Sequence, residues 1–294
     1  MTSGKRAGAH RIANKKRGAG DISRPSRNPA APQKGSSVTD LILSLFPGIG
    51  LLDLGFEQAG FCIVRGPDEI WGGDIRRFHP PPGRFDGVIG GPPCQDFSSS
   101  RRIAPTGYGL EMIGEFVRVV TQTAPLWWLM ENVPRVPDVQ IPGYSWQRLD
   151  LLASSYGLNQ HRRRHIQFGS RDGTALVLPR HASRPVTAGA VTATDTTTPL
   201  AHMLIRQGLP ADFAIPAFTD AAFRRAVGNG VPVPMAYALA QAVRDRVPAA
   251  SVTLCACGCG RGVTDKATYA TGACRMRAMR RRNVTDQAAE VSGA

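Results

Sequence analysis

From Leu41 onward, short apolar runs that stop at glycine or proline alternate with stretches of helical periodicity. That alternation constrains the chain to strand–helix–strand units and a mostly parallel sheet. Leu41-Ile42-Leu43-Ser44-Leu45-Phe46 runs into Pro47-Gly48 and predicts a first strand, followed by a helix from about Leu51 to Ala59. Phe61-Cys62-Ile63-Val64 predicts a second strand, with Cys62 a buried structural thiol. Phe85 to Gly90, ending in Gly91-Pro92-Pro93, predicts a third. A helix from about Leu110 to Thr123 then leads through Pro125 to a fourth strand, Leu126 to Met130. Gln160 to Arg164 alternates toward Phe168-Gly169 as a further strand, and a closing helix is expected from Pro234 to about Arg246.

The 294 residues divide by composition into a basic arm (1–38), an α/β body (39–248) and a basic, cysteine-rich tail (249–294). The arm is rich in Gly, Ala, Pro, Lys and Arg without apolar periodicity, and disorder is expected there. Net charge is +14 and sits in the ends: residues 1–38 carry nine Lys or Arg against Asp21 alone, while the body is nearly neutral. Basic ends on a neutral body suit a polyanion, through phosphate neutralisation and counterion release. No apolar run approaches the ~20 residues of a membrane helix. The N-terminus lacks the apolar stretch of a secretory signal. A cytoplasmic monomer without membrane contact is expected. Six cysteines, four of them in the last forty residues, do not make a disulfide scaffold.

Several residues stand where a sheet edge binds ligands. The first strand ends in Phe46-Pro47-Gly48-Ile49-Gly50, and paired glycines at a strand-to-helix turn let backbone approach a ligand closely. Asp68 or Glu69, and then Asp74, could take ribose hydroxyls or an adenine amino group. Cys94 follows two prolines on a stiff turn, where a thiolate favoured by nearby positive charge could attack an electron-poor carbon. The polar loop Asp96 to Gly109 reads as a lid. Glu131 ends an apolar strand, so its pKa should rise, and the acid could share a proton with a ring nitrogen. Arg162 and Arg164 would share one face of a strand, suited to phosphate and a carbonyl. Gly228-Asn229-Gly230-Val231-Pro232 could close over a cofactor.

Taken together the motifs resemble the cytosine-C5 DNA methyltransferase family. Phe46-x-Gly48-x-Gly50, Gly73-Asp74-Ile75, Gly91-Pro92-Pro93-Cys94-Gln95, Glu131-Asn132-Val133, Gln160-x-Arg162-x-Arg164, Gln207-Gly208-Leu209-Pro210 and Gly228-Asn229-Gly230-Val231-Pro232 follow the family's order over residues 41–246. The resemblance implies a Rossmann-like core that uses S-adenosylmethionine. It makes Cys94 the nucleophile toward C6 of an extruded cytosine, with Glu131 at N3 and the exocyclic amine. Arg162 and Arg164 would hold the nucleotide, and Phe46, Gly48, Gly50, Asp68, Asp74, Leu110 and Asn229 would line the cofactor pocket. Double-stranded DNA is the implied partner, in a bacterium or a phage-infected host, as in restriction–modification. The same chemistry on transfer RNA, or a DNA-binding relative without turnover, are the alternative readings.

Three departures bear on these expectations. Ser44 stands where the family usually has Asp. Asp68 and Asp74 lie six residues apart, where the family usually inserts a helix. The target-recognition segment, about 170–204, is reduced to a few tens of residues, which leaves little chain to reach base edges. In the tail, Cys255, Cys257, Cys259 and Cys274 suit one structural Zn²⁺. They resemble small treble-clef-like modules that end in a basic helix. Because this module follows the closing helix, the core is expected to fold without it.

Overall fold

The computed structural model describes residues 40–98, 104–178, 185–263 and 267–280. The basic arm lies outside the described residues. From Asp40 onward these residues form one compact unit.

Six strands make the central sheet: β1 (Leu41–Leu45), β2 (Cys62–Arg65), β3 (Gly87–Gly90), β4 (Trp127–Asn132), β5 (Ser145–Leu152) and β6 (Arg163–Ser170). Their order across the sheet is β2-β1-β3-β4-β6-β5. The first four are parallel, β6 runs antiparallel to β4, and β5 antiparallel to β6. Helices α1 (Leu51–Gln58), α2 (Tyr108–Thr123), α3 (Leu200–Gln207), α4 (Asp220–Asn229) and α5 (Val233–Arg244) follow in chain order. A short antiparallel pair, β7 (Thr174–Ala175) with β8 (Val247–Pro248), closes the body.

Period-two alternation in the strands splits the core into two layers. Ile42, Ile89, Trp127, Leu129 and Phe168 face α1 and α5. Leu43, Val88, Trp128 and Met130 face α2 through Met112, Phe116 and Val120. Consecutive tryptophans on β4 therefore point to opposite sides, and each ring lies over a glycine of a neighbouring strand. A Cβ on Gly87 would stand 2.3 Å from the Trp127 ring, and one on Gly169 would stand 2.3 Å from Trp128. A third cluster joins Leu51 to Val191, Met203, Leu204, Phe223 and Val227, and so fixes α3 and α4 beside the first helix.

The first four strands, the first two helices and the closing helix fall within a few residues of their expected places. Cys62 does not: it is exposed, because β2 is an edge strand with little over its outer residues. The tail is also no free appendage. The Arg148 N–H on β5 donates to the Gly260 carbonyl at 2.8 Å, so the cysteine-rich segment is bonded to the sheet edge. No helix among the described residues is long and apolar enough to cross a membrane.

Candidate active site

The carboxyl ends of β1, β3 and β4, together with the start of antiparallel β6, open onto one cavity. Phe46, Gly48, Asp68, Asp74, Cys94, Glu131, Arg164 and Asn229 all line it. Ligands bind at this edge of parallel sheets because strand ends and helix starts leave backbone groups unpaired there.

The turn after β1 is the floor. Phe46 and Gly48 both have positive φ (54° and 58°), and a Cβ on Gly48 would meet nothing within 4 Å. Asp68 clamps this turn, accepting the Gly48 N–H at 2.8 Å on one oxygen and the Ile70 N–H at 2.9 Å on the other. The Trp71 indole N–H donates to the Gly48 carbonyl at 2.8 Å. Beside it, the Tyr108 hydroxyl donates to the Glu69 carboxylate, and both residues line the cavity. Asp74 accepts from the Arg76 backbone at 3.0 Å and from its guanidinium at 2.9 Å, and that side-chain bond holds its pKa low.

Two expected pocket residues stand elsewhere. Leu110 is 57% exposed on α2, outside the lining, and Tyr108 one half-turn earlier takes the place by the cavity. Gly50 is the residue before α1, with φ +80°; it shapes the turn without lining the cavity. Ser44 lines the cavity and donates to Asp53 at 2.5 Å, and Arg65 donates to the other Asp53 oxygen at 2.8 Å. The carboxylate missing from position 44 therefore has a counterpart one layer back, wholly buried on α1. Burial raises the Asp53 pKa against the pull of its Ser44 and Arg65 hydrogen bonds.

The opposite side of the cavity is built by β3 and β4. Gly91-Pro92-Pro93 carries the chain from β3 to Cys94, which begins a short 3-10 turn at Gln95–Phe97. Asn132, buried at the end of β4, donates to the Pro92 carbonyl at 3.0 Å and so ties the proline turn to the next strand. Its neighbour Glu131 is 7% exposed. Arg164 Nε lies 2.7 Å from Glu131 Oε1 as an ion pair, off the line of an aligned hydrogen bond, and Oε1 has no other partner among the described residues. Burial pushes the Glu131 pKa up, while Arg164 and Arg162 oppose it. Burial also pushes the Cys94 thiol up, the Glu131 carboxylate adds to that, and the two arginines again oppose.

Arg162 does not share the cavity with Arg164. It is 2% exposed and donates to the carbonyl oxygens of Val191, Gly228, Asn229 and Gly230. It lies before β6 starts, so the expected strand alternation does not reach it. Its burial, with repulsion from Arg164, brings its pKa down to about 9, still a cation at neutral pH. Gln160 bonds the Val191 N–H at 3.2 Å and the Gln207 side chain at 3.1 Å, and Gln207 reaches the carbonyls of Val227 and Gly230. Three motifs far apart in sequence thus converge to hold the Asn229 turn against the cavity.

The ends of the expected lid are joined by Asp96, which accepts the N–H groups of Thr106 and Gly109 at 3.0 and 2.9 Å. Residues 99–103 of that loop lie outside the described residues. In the tail, the Sγ atoms of Cys255, Cys257, Cys259 and Cys274 lie within 4.8 Å of one another.

Residues 41–201 match the family described as C-5 cytosine-specific DNA methylase, more than half of this chain, and the chain belongs to that family. Among curated relatives it is 34% identical over 164 residues to the Type II methyltransferase M.HgiDI of Herpetosiphon aurantiacus, which is 45% of this chain and 52% of that protein. It is 30% identical over 162 residues to M.NgoPII of Neisseria gonorrhoeae, 44% of this chain and 48% of the relative. The chain spans about half the length of these relatives. In fold it is similar to the Entamoeba histolytica methyltransferase EhMeth (TM-score 0.55, 12% identity, 71% of this chain and 99% of that one). It is also similar to DNMT2 of Spodoptera frugiperda (TM-score 0.52, 12% identity, 70% of this chain and all of that one).

Proposed function

We propose that this protein methylates C5 of cytosine in double-stranded DNA, using S-adenosylmethionine. The observation that carries the reading is the convergence, on one cavity, of a nucleophilic thiol, a buried carboxyl with an unaligned oxygen, and a cation beside it. The substrate reading draws on the family membership and on the Type II methyltransferases among the relatives.

S-adenosylmethionine, when bound, supplies a methyl group on a sulfonium. The residues at the floor fit such a molecule. Gly48 leaves open space where a side chain would stand, and three carboxylates (Asp68, Glu69 and Asp74) rim the cavity beside Ile70 and the aromatic ring of Tyr108. Asp68 already clamps the turn, which leaves Glu69, tethered by Tyr108, to take the ribose hydroxyls. The Ser44 hydroxyl donates to Asp53, which leaves its oxygen to accept from a methionine ammonium.

On the catalytic side Cys94, as thiolate, adds to C6 of the cytosine and drives electron density to C5. Glu131, its protonated form favoured by burial, shares its proton with N3 and accepts from the exocyclic amine, offsetting the charge that grows on the ring. Arg164 neutralises Glu131 or contacts the base carbonyl, while Arg162 acts only by holding the Asn229 turn. After methylation the C5 proton leaves and Cys94 is eliminated, which restores the aromatic ring. A base in a duplex must swing out of the stack to reach these groups.

Incubation with duplex DNA and, separately, with transfer RNA distinguishes the DNA reading from the RNA alternative. The expected result is 5-methylcytosine in the DNA and none in the RNA. The opposite pattern would reassign the substrate while keeping the chemistry, and modification of neither would favour a binding protein without turnover.

A further inference from the structure

The four tail cysteines lie at one end of a run of partly buried ion pairs whose other end is the active-site wall. All four are 2–3% exposed. Cys255 and Cys257 Sγ atoms are 3.5 Å apart, and those of Cys259 and Cys274 are 3.7 Å apart. A disulfide needs about 2.05 Å. Four thiolates at about 2.3 Å from one Zn²⁺ in tetrahedral array stand about 3.8 Å from each other, close to the spacing found. Donors also point at the sulfurs, as thiolates require: the Ala270 N–H to Cys255 and the Thr271 hydroxyl to Cys274, both at 3.2 Å.

The cluster is anchored to the sheet by what lies between its third and fourth cysteines. Gly260 has φ +67°, and a Cβ there would come within 2.8 Å of the Trp146 ring and 3.1 Å of the Arg148 nitrogen, so only glycine lets this turn lie against β5. Arg261 donates to Asp150 at 2.5 Å. Asp150 in turn faces the Arg148 guanidinium at 3.4 Å, and Arg148 donates to Asp138 at 2.6 Å and to the Pro134 carbonyl at 3.1 Å. His165, wholly buried on β6, sits between Asp150 (3.5 Å) and Asp138 (3.8 Å). Pro134 is three residues beyond Glu131.

We propose that Cys255, Cys257, Cys259 and Cys274 hold one structural Zn²⁺, and that the metal-ordered module braces the segment 133–138 behind Glu131 through Arg261, Asp150 and Arg148. The chemistry is a closed four-thiolate site with no open position, so the ion orders chain rather than reacting. Without it, the turn that carries Gly260 and Arg261 rests on a small cluster of the four thiols, Ala278 and the half-buried Val263, Tyr269 and Ala270. Arg148 then loses its backbone partner on Gly260, and Asp150 loses the Arg261 guanidinium that shares it with Arg148. The metal claim stands without the catalytic reading, whereas the importance of the brace for methyl transfer rests on it.

The test uses the full chain, purified without chelators, with zinc measured by elemental analysis and amide hydrogen exchange read by peptide. One zinc per chain is expected. Replacing it with Co²⁺ should give sulfur-to-metal absorption in the near ultraviolet. Chelation should speed exchange at least tenfold over 133–138 and 145–152 as well as over 254–280, reversed by adding zinc back. Arg261→Gln should keep its zinc yet speed exchange over 133–138 and 145–152. Absence of zinc, or zinc whose removal changes exchange only within 254–280, would overturn the proposal. A protein that shows the metal and the brace but methylates nothing would overturn the catalytic reading alone.

Discussion

The thiol of Cys94 stands between one carboxylate and two guanidiniums of opposite influence, and burial settles the balance toward the protonated form. A thiolate, rather than a thiol, is the nucleophile. Alkylation of Cys94 by iodoacetamide should therefore rise with pH through 7 to 9, and Glu131→Gln should speed it at pH 7 by removing the negative charge that helps burial hold the proton on. Exposed Cys62 provides the control within the same digest. Equal Cys94 rates in the two proteins would mean that Glu131 does not act on the thiol. The same substitution should lower the single-turnover rate of methyl transfer by a hundredfold or more, because an amide cannot share a proton with N3 as charge grows there. Cofactor affinity should hardly change. At the floor of the cavity the expectation is reversed. Ser44→Ala should raise the cofactor dissociation constant about tenfold, the value of a hydrogen bond to a charged group, and leave the rate at saturation nearly as it was. An unchanged dissociation constant would place the methionine end elsewhere. Arg162→Met should act through stability, since four carbonyls lose a donor and, among the described residues, only that of Gly230 keeps another, from Gln207, and about 2–4 kcal/mol is expected from denaturant unfolding. A fully stable variant that lost only DNA affinity would restore Arg162 to the nucleotide.

The elements that carry the site were legible where hydrophobic pattern alone decides them. β1, β3 and β4 are apolar runs closed by glycine, proline or a polar pair, and the cavity opens where each run ends. β5 was not legible, because Gln147 and Arg148 are buried in it by specific bonds rather than by apolar character. The Gln147 amide pairs with both backbone groups of Leu176, at 3.0 and 2.8 Å. The role of Arg162 was missed for a related reason: spacing shows which face a residue shares, and it cannot show that four carbonyls from distant loops arrive at that face. Tyr108 carried no signal beyond its nearness to a motif, and Asn132, though inside one, carried none for its bond to Pro92. The glycines of the sheet were likewise silent, though packing depends on them. Gly87→Ala would force a Cβ against the buried Trp127 ring at 2.3 Å, between two paired strands that cannot separate locally. Overpacking of this kind costs about 1–3 kcal/mol. The unfolding midpoint should fall accordingly, and an unshifted midpoint would show that β3 and β4 have slack.

At the scale of the whole molecule, charge and recognition separate. The body is nearly neutral and the ends are basic, so affinity should depend strongly on salt while discrimination comes from few side chains. Among the described residues of the segment expected to read bases, several are tied to the body by hydrogen bonds. Val191 is bonded by Gln160 and Arg162, and the carbonyls of Gly189 and Thr198 are taken by Arg206 and Arg224. Each good bidentate contact gives about 1–3 kcal/mol of discrimination, and a segment of a few tens of residues can supply few of them. A target of two to four base pairs, or a degenerate one, is expected from bisulfite mapping, and one strict site of six or more would contradict it. The central claim is narrower and more easily put at risk. Duplex DNA incubated with the protein and S-adenosylmethionine, digested to nucleosides and analysed by mass spectrometry, should contain 5-methylcytosine. DNA treated with the folded Cys94→Ser protein should contain none. Methylation by that variant within tenfold of the parent, or its absence from DNA treated with the parent, would contradict the account.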